Sequence, residues 1–196
     1  LYIIGNSMIS NHKVHKLLQL LVPSNIKIHY FLKDNSSLIN LNNELIENIN
    51  SLSATKVLLQ PHSLDWFKQN FHNQLNTTIQ SLHSKTFIYQ NTAYNNSYFD
   101  TMTSHIVNKS QEISSDSTII PLSLNWYKLY HTINNPNLLY MDDNVHFSSK
   151  GAFFSGLILY THIFPELSKP NYDKSFKIRW NISQFEFDFL LRNIYL

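Results

Sequence analysis

The sequence predicts an α/β fold in which a mostly parallel sheet is covered on both faces by helices. Three observations predict it. Short β-type apolar runs alternate with longer stretches of helical spacing along the whole chain. Glycine, proline or Asn/Ser clusters punctuate the junctions. The length of 196 residues, 43% of them hydrophobic, suits one domain spanning residues 1–196 with its own core.

Leu1, Tyr2, Ile3 and Ile4 form a first strand, stopped by Gly5. The chain enters this strand at once, which predicts that a segment has been trimmed from its front. Ser10 is placed to cap a helix running through Val14, Leu17, Leu18, Leu20 and Leu21 to Pro23. Residues 25–32 alternate apolar and polar side chains as a strand does, and 41–52 suit a helix. A strand over 56–60 is bounded by Pro61. Helical spacing follows over 63–82, with Leu64, Phe67, Phe71, Leu75 and Ile79 on one side. Strands at 86–89 and 118–122 frame a helix at 97–107, and another helix covers 124–133. Ser149 is the expected cap of a helix through Phe153, Leu157, Tyr160 and Ile163. Residues 168–177 read as loop, and Asn181 as the cap of a last helix through Phe185, Phe189 and Ile194. Right-handed crossovers would bring the loops beginning at Gly5, Gln60 and Gln90 to one edge of the sheet, where open α/β sheets build their sites.

Composition excludes several function classes. Net charge is only +2 and no dense Lys/Arg cluster occurs, so nucleic acid is not an expected partner. No apolar run approaches the roughly 20 residues of a membrane span. The chain has no cysteine, which excludes disulfides and thiolate metal sites. His146 with Asp142 and Asp143 gives a partial ligand set, but no metal-binding spacing accompanies it, so neither a metal nor another cofactor is expected. Oligomeric state is left open. Asn-x-Ser/Thr triplets at Asn35, Asn76, Asn95, Asn108 and Asn181 are expected by chance in so Asn-rich a chain. The short Asn/Ser patches at 35–37 and 91–97 read as ordinary loops.

Two motifs carry chemistry. Gly5-Asn6-Ser7 stands where the first strand ends, so a hydroxyl there points out of the sheet edge and its own N–H can help hold an oxyanion. Read alone, the tripeptide is simply a turn with an N-cap, and only its pairing with a second motif lifts it above that. Asp143-Asn144-Val145-His146 places a carboxylate three residues before an imidazole. Serine needs a base to take its proton, histidine is the usual base, and a carboxylate fixes its tautomer. Read alone, this stretch is also a solvated surface turn.

Together the two motifs resemble those of the SGNH (GDSL-type) hydrolase superfamily. That family opens on a strand followed by Gly-Asp-Ser or Gly-Asn-Ser and closes on Asp-x-x-His, often followed by Pro/Phe-Ser-x-x-Gly. Here the opening is Tyr2-Ile3-Ile4-Gly5-Asn6-Ser7 and the closing is Asp143-Asn144-Val145-His146-Phe147-Ser148-Ser149-Lys150-Gly151. The resemblance implies a flavodoxin-like three-layer α/β/α fold. It implies Ser7 as nucleophile, His146 as base and Asp143 as the orienting carboxylate.

The family's Gly-x-Asn-Asp, which supplies oxyanion donors, is absent, and the chain has only 3 glycines. After the third strand stands Leu58-Leu59-Gln60-Pro61-His62-Ser63, similar to a branch with Leu-Gln-x-x-Ser and to carbohydrate acetylesterases with Gln-Gly-Glu-Ser. Gln60 is therefore expected to replace the missing amide donor beside the Ser7 N–H. Asn6, His62, Ser63 and Asn91 are weaker candidates. The implied activity is ester hydrolysis through an acyl-enzyme, on a small acyl ester of a carbohydrate. The alternatives are acyl transfer to a sugar hydroxyl by the same triad, or a binding module on this scaffold. The resemblance favours a secreted or cell-envelope setting over a cytoplasmic one.

Overall fold

A computed structural model describes every residue except 35, 36, 39, 40, 42, 195 and 196. The Asn35 triplet and most of the 35–37 patch therefore lie outside the described residues. Five strands form one sheet: β1 (Tyr2–Gly5), β2 (His29–Leu32), β3 (Lys56–Leu59), β4 (Lys85–Tyr89) and β5 (Ser117–Ile120), in the order β2-β1-β3-β4-β5. Every neighbouring pair is parallel, with Ile3 opposite Tyr30 and Leu58, Leu58 opposite Phe87, and Phe87 opposite Thr118. Parallel sheets are covered on both faces, and β1 and β3 are accordingly built of fully apolar, buried residues through Ile3, Ile4, Val57, Leu58 and Leu59. The β2 strand is the exception, an exposed edge. The expected strand over 25–32 keeps only its last four residues, the ones that reach β1.

The helices that flank the sheet are α1 (Ser7–Ser10), α2 (Val14–Leu21), α3 (Asn43–Ser51), α4 (Phe71–Ser81), α5 (Phe99–Ser110), α6 (Leu122–Thr132), α7 (Ser149–Ile163), α8 (Lys174–Trp180) and α9 (Gln184–Arg192). Helix α7 is buried along almost its whole length and packs against α2. Gly156 permits this packing, since a Cβ there would lie 2.6 Å from Leu17 Cδ2. No helix among the described residues is long and apolar enough to cross a membrane.

Several expected boundaries move, each for a local reason. Ser10 does not cap α2. The chain makes the single turn α1, then a 3-10 turn at Asn11–Lys13 in which His12 (φ 52°) and Lys13 (φ 58°) are left-handed, and α2 starts at Val14. The helix expected over 63–82 is broken. A 3-10 turn at Ser63–Phe67 ends when Lys68 turns extended, because Asp65 takes the His62 N–H and the Lys68 ammonium. The expected stripe fails there as well: Leu64 and Phe67 are exposed, and Trp66 is buried instead. Ser148, not Ser149, caps α7 by accepting from the Gly151 N–H at 3.1 Å. The loop expected at 168–177 contains the start of α8. Asn181 ends that helix in the left-handed region (φ 55°), and Ser183 caps α9 through a reciprocal bond with Glu186. On α9 the buried face is Phe187 and Leu190, while Phe185 is exposed. Phe187 is claimed by an aromatic cluster with Phe153, Tyr172 and Phe176.

Candidate active site

The strand order reverses between β1 and β3, since β1 is followed by β2 on one side and by β3 on the other. Crevices of open α/β sheets form at such a reversal, beyond the carboxyl ends of the strands. Asn6 and Ser7 leave β1 there, and Gln60 leaves β3 beside them.

Asn6 is the N-cap of α1: its Oδ1 accepts from the Met8 N–H at 3.2 Å. It is 2% exposed, and Gln60 is 1% exposed. The two amides grip one another. The Asn6 N–H donates to Gln60 Oε1 at 3.0 Å, and Gln60 Nε2 donates to Asn6 Oδ1 at 3.0 Å. Asn6 Nδ2 also reaches the Pro61 carbonyl at 3.4 Å. Gly5 makes room for this grip. Its φ is not positive, so it serves close approach and not an unusual turn: a Cβ there would stand 2.7 Å from Gln60 Oε1. Gln60, expected at the rim as an amide donor, is thus turned onto Asn6 and fixes the turn that carries Ser7. No group among the described residues accepts the N–H of Ser7.

The second half of the site arrives from the far end of the sequence. Ser7 Oγ lies 3.0 Å from His146 Nε2, and His146 Nδ1 lies 2.6 Å from Asp143 Oδ2. With Nδ1–H donated to the carboxylate, the Nε2 lone pair faces the serine hydroxyl. The other oxygen of Asp143 accepts from the N–H groups of Val145 and His146, both at 2.9 Å. Burial pushes the Asp143 carboxyl upward. Hydrogen bonds from the His146 ring, the His146 N–H and the Val145 N–H, with the attraction of the imidazolium, outweigh it and hold the group at about 2. Asp142 joins none of these bonds.

The turn bearing Asp143 and His146 is surface-exposed, yet it is held at several points. Tyr140 and Phe147 bridge its base, and the Met141 N–H donates to the His146 carbonyl at 2.8 Å. Asn144 takes φ 58°, a conformation that asparagine tolerates. Asn95, in the loop after β4, reads that turn from the side. Its N–H donates to the Asn144 carbonyl and its Nδ2 to Asn144 Oδ1, both at 2.8 Å, while its own Oδ1 accepts from the Tyr130 hydroxyl at 2.8 Å. Below the turn, Phe147 stacks on Trp126 with centroids 4.3 Å apart. Trp126 Nε1 donates to the Tyr140 hydroxyl at 2.7 Å. Gly151 is the close-approach point here: a Cβ would lie 2.2 Å from the Leu139 carbonyl oxygen.

Of the remaining candidates, Asn91 and Ser63 are buried and His62 is half-buried. Trp66 Nε1 donates to Asn91 Oδ1 at 2.9 Å, and Asn91 Nδ2 reaches Ser63 Oγ at 3.4 Å, so Asn91 and Ser63 form a buried chain beneath the 3-10 turn. His62 caps that turn by accepting from the Leu64 N–H at 3.2 Å. Among the described residues no cluster of three or more His, Asp or Glu side chains is arranged to hold a metal ion. Sequence reasoning missed Asn95 and Tyr130. The signal available was the Asn-rich stretch at 91–97, read as plain loop.

No protein-family model matches the sequence, and no curated protein is similar enough to count as a relative. Solved structures do match. A lipase/acylhydrolase from Enterococcus faecalis superposes with a TM-score of 0.67 at 13% identity, over 87% of this chain and 99% of that one. An acetyl xylan esterase, AlAXEase, gives 0.66 at 14% identity, over 83% of this chain and 100% of that one. An acetylxylan esterase from Geobacillus stearothermophilus gives 0.59 at 14% identity, over 88% of this chain and 96% of that one. Structures of that esterase described as catalytic mutants replace a serine, an aspartate, and a histidine three positions after the aspartate. At such identities the likeness establishes a shared fold: the parallel five-stranded sheet flanked by helices on which these acylhydrolases and esterases are built.

Proposed function

We propose that this chain is a serine ester hydrolase of the SGNH (GDSL-type) kind, acting through an acyl-enzyme on a small acyl ester of a carbohydrate. The observation that carries the reading is the continuous chain of hydrogen bonds from Ser7 Oγ through His146 to Asp143, at 3.0 and 2.6 Å. In this reading His146 Nε2 takes the hydroxyl proton as Ser7 Oγ attacks the acyl carbon. The tetrahedral oxyanion rests on the Ser7 N–H, which has no acceptor among the described residues. His146 then gives the proton to the leaving sugar oxygen as the ester C–O bond breaks. Water, deprotonated by the same ring, attacks the acyl-serine and releases the acid. Asp143 keeps the ring in the tautomer this requires and stabilises the imidazolium. Gln60 acts as a positioning residue through Asn6.

The Asp-x-x-His spacing at Asp143 and His146 equals that of the aspartate and histidine altered in the catalytic mutants of the Geobacillus stearothermophilus acetylxylan esterase, which supports both the roles and the choice of an acetyl ester. The test is labelling by a fluorophosphonate probe. The wild-type chain is expected to label and Ser7→Ala to stay unlabelled. A wild-type chain that does not label, or a Ser7→Ala variant that still does, overturns the reading. With a sugar acceptor present, product analysis separates hydrolysis from acyl transfer.

A further inference from the structure

A basic groove is built on the segment that follows Ser7 in the chain and on α8. A cavity of about 440 Å³ is lined by His12, Lys13, Lys16, Arg179 and Trp180. It adjoins a second space of about 310 Å³ that shares Lys16 and Arg179 and adds His15 and Tyr30. The segment from Ser7 to Leu21 contains no acidic residue, and neither does α8. Among the described residues, Lys13, Lys16 and Arg179 form no ion pair. Asp173 feels the attraction of Arg179, but its carboxyl is held low first by Ser175.

Three further observations mark the groove as more than a solvated face. The backbone is left-handed at both His12 and Lys13, at a cost of about 1–2 kcal/mol each for side chains of this kind. Such strain persists where the surroundings hold it, and ligand clamps are a common setting. Here the Trp180 Nε1–H donates to the His12 carbonyl at 2.8 Å, and His12 Nδ1 meets Ser149 Oγ at 3.2 Å. Ser149 opens α7 just after His146, so a wall of the groove touches the helix that follows the catalytic turn. His15 is 8% exposed, and its Nδ1 has no partner among the described residues. Burial lowers its pKa; Lys16 and Lys13 lower it further against a bond to Ile9, so their charge is felt inside the groove.

We propose that this groove is a phosphate-binding subsite, taking the di- or oligophosphate group of the molecule whose ester Ser7 attacks. Arg179 offers a fork suited to two phosphate oxygens, and the two lysines act as point charges. Lys16 and Arg179 stand where the two spaces join, an arrangement suited to linked phosphates. The identity of the ester rests on the reading of Ser7 as nucleophile; the binding of phosphate does not.

The test is a calorimetric titration with inorganic pyrophosphate at low salt. Wild type and Ser7→Ala are expected to bind equally. The double variant Lys16→Gln/Arg179→Gln is expected to bind at least ~10-fold more weakly, and a control, Lys85→Gln on β4, to bind as wild type. No binding of pyrophosphate, equal binding by the double variant, or tighter binding of an oligogalacturonate overturns the subsite. Binding through Lys16 and Arg179 in a chain that fluorophosphonate does not label upholds the subsite and overturns the ester reading.

Discussion

The two halves of the candidate site are held by opposite means. Ser7 sits on a turn buried against the sheet, where Asn6 and Gln60 exchange two hydrogen bonds out of reach of water. Asp143 and His146 sit on an exposed turn tied down from its flanks by Asn95, Tyr130 and the Trp126–Phe147 stack. The difference teaches where precision costs stability. A buried amide pair is worth most when both partners are present, because breaking it leaves polar groups unsatisfied in the interior. An exposed turn loses much less when one tie is cut, since water replaces the lost bond. The Ser7 half should therefore fail in stability and activity together, and the His146 half in activity first.

The largest expected effect lies outside that contrast and sets its scale. Ser7→Ala or His146→Ala should lower kcat on a small acyl ester by roughly a million-fold, and Asp143→Asn by about ten-thousand-fold, because the imidazole would then present the wrong tautomer. Gln60→Leu is the sharpest break of the buried half. It strands the buried Asn6 N–H and leaves Asn6 Oδ1 only its Met8 donor, so urea unfolding should show a loss of about 2 kcal/mol, accompanied by a fall in kcat. Asn95→Ala is its counterpart. It should cost no more than about 1 kcal/mol in the same measurement, yet lower kcat about ten-fold, with KM nearly unchanged. A stability loss for Asn95→Ala as large as that for Gln60→Leu would erase the distinction.

Two smaller effects depend on pH. Asp143 is held at about 2, well below the ordinary aspartate value of 3.8. Its stabilising bonds are complete above about 3.8 and vanish as pH falls through 2, so a kcat/KM profile should show no inflection from Asp143 above about pH 4. Glu186 gives the smallest effect. Burial raises its pKa, but bonds from Lys150 and from the N–H and hydroxyl of Ser183 prevail and hold it at about 2 against an ordinary 4.5. The contribution is present above pH 4.5 and lost as pH falls through 2. Glu186→Gln should therefore lower Tm by a few degrees at pH 7, and the difference from wild type should close by pH 2.

What the sequence made legible follows from which forces are local. The apolar runs of β1, β3 and β4 are short-range signals, and their strands formed where expected. The exit of β1 placed Ser7 at the sheet edge, but Asp143 and His146 reach it on a turn before α7 and not at a strand exit, so their arrival was expected only from the resemblance. Helix limits at 63–82 and 168–181 were hidden because side chains decide them: Asp65 ends one turn and Ser183 begins another helix. The role of Gln60 was hidden for a similar reason. Its position after β3 was readable, but its partner was the backbone and amide of Asn6, 54 residues away. Asn95 was the least readable, since its partners Tyr130 and Asn144 come from distant segments and asparagine in a loop is ordinary.

The separation of 139 positions between Ser7 and His146 carries a consequence for the chain as it is made. Ser7 is synthesised first, just after β1, but His146 follows only after all five strands. On the proposed reading, reactivity waits for completion of the chain, when the turn before α7 brings the His146 imidazole to Ser7.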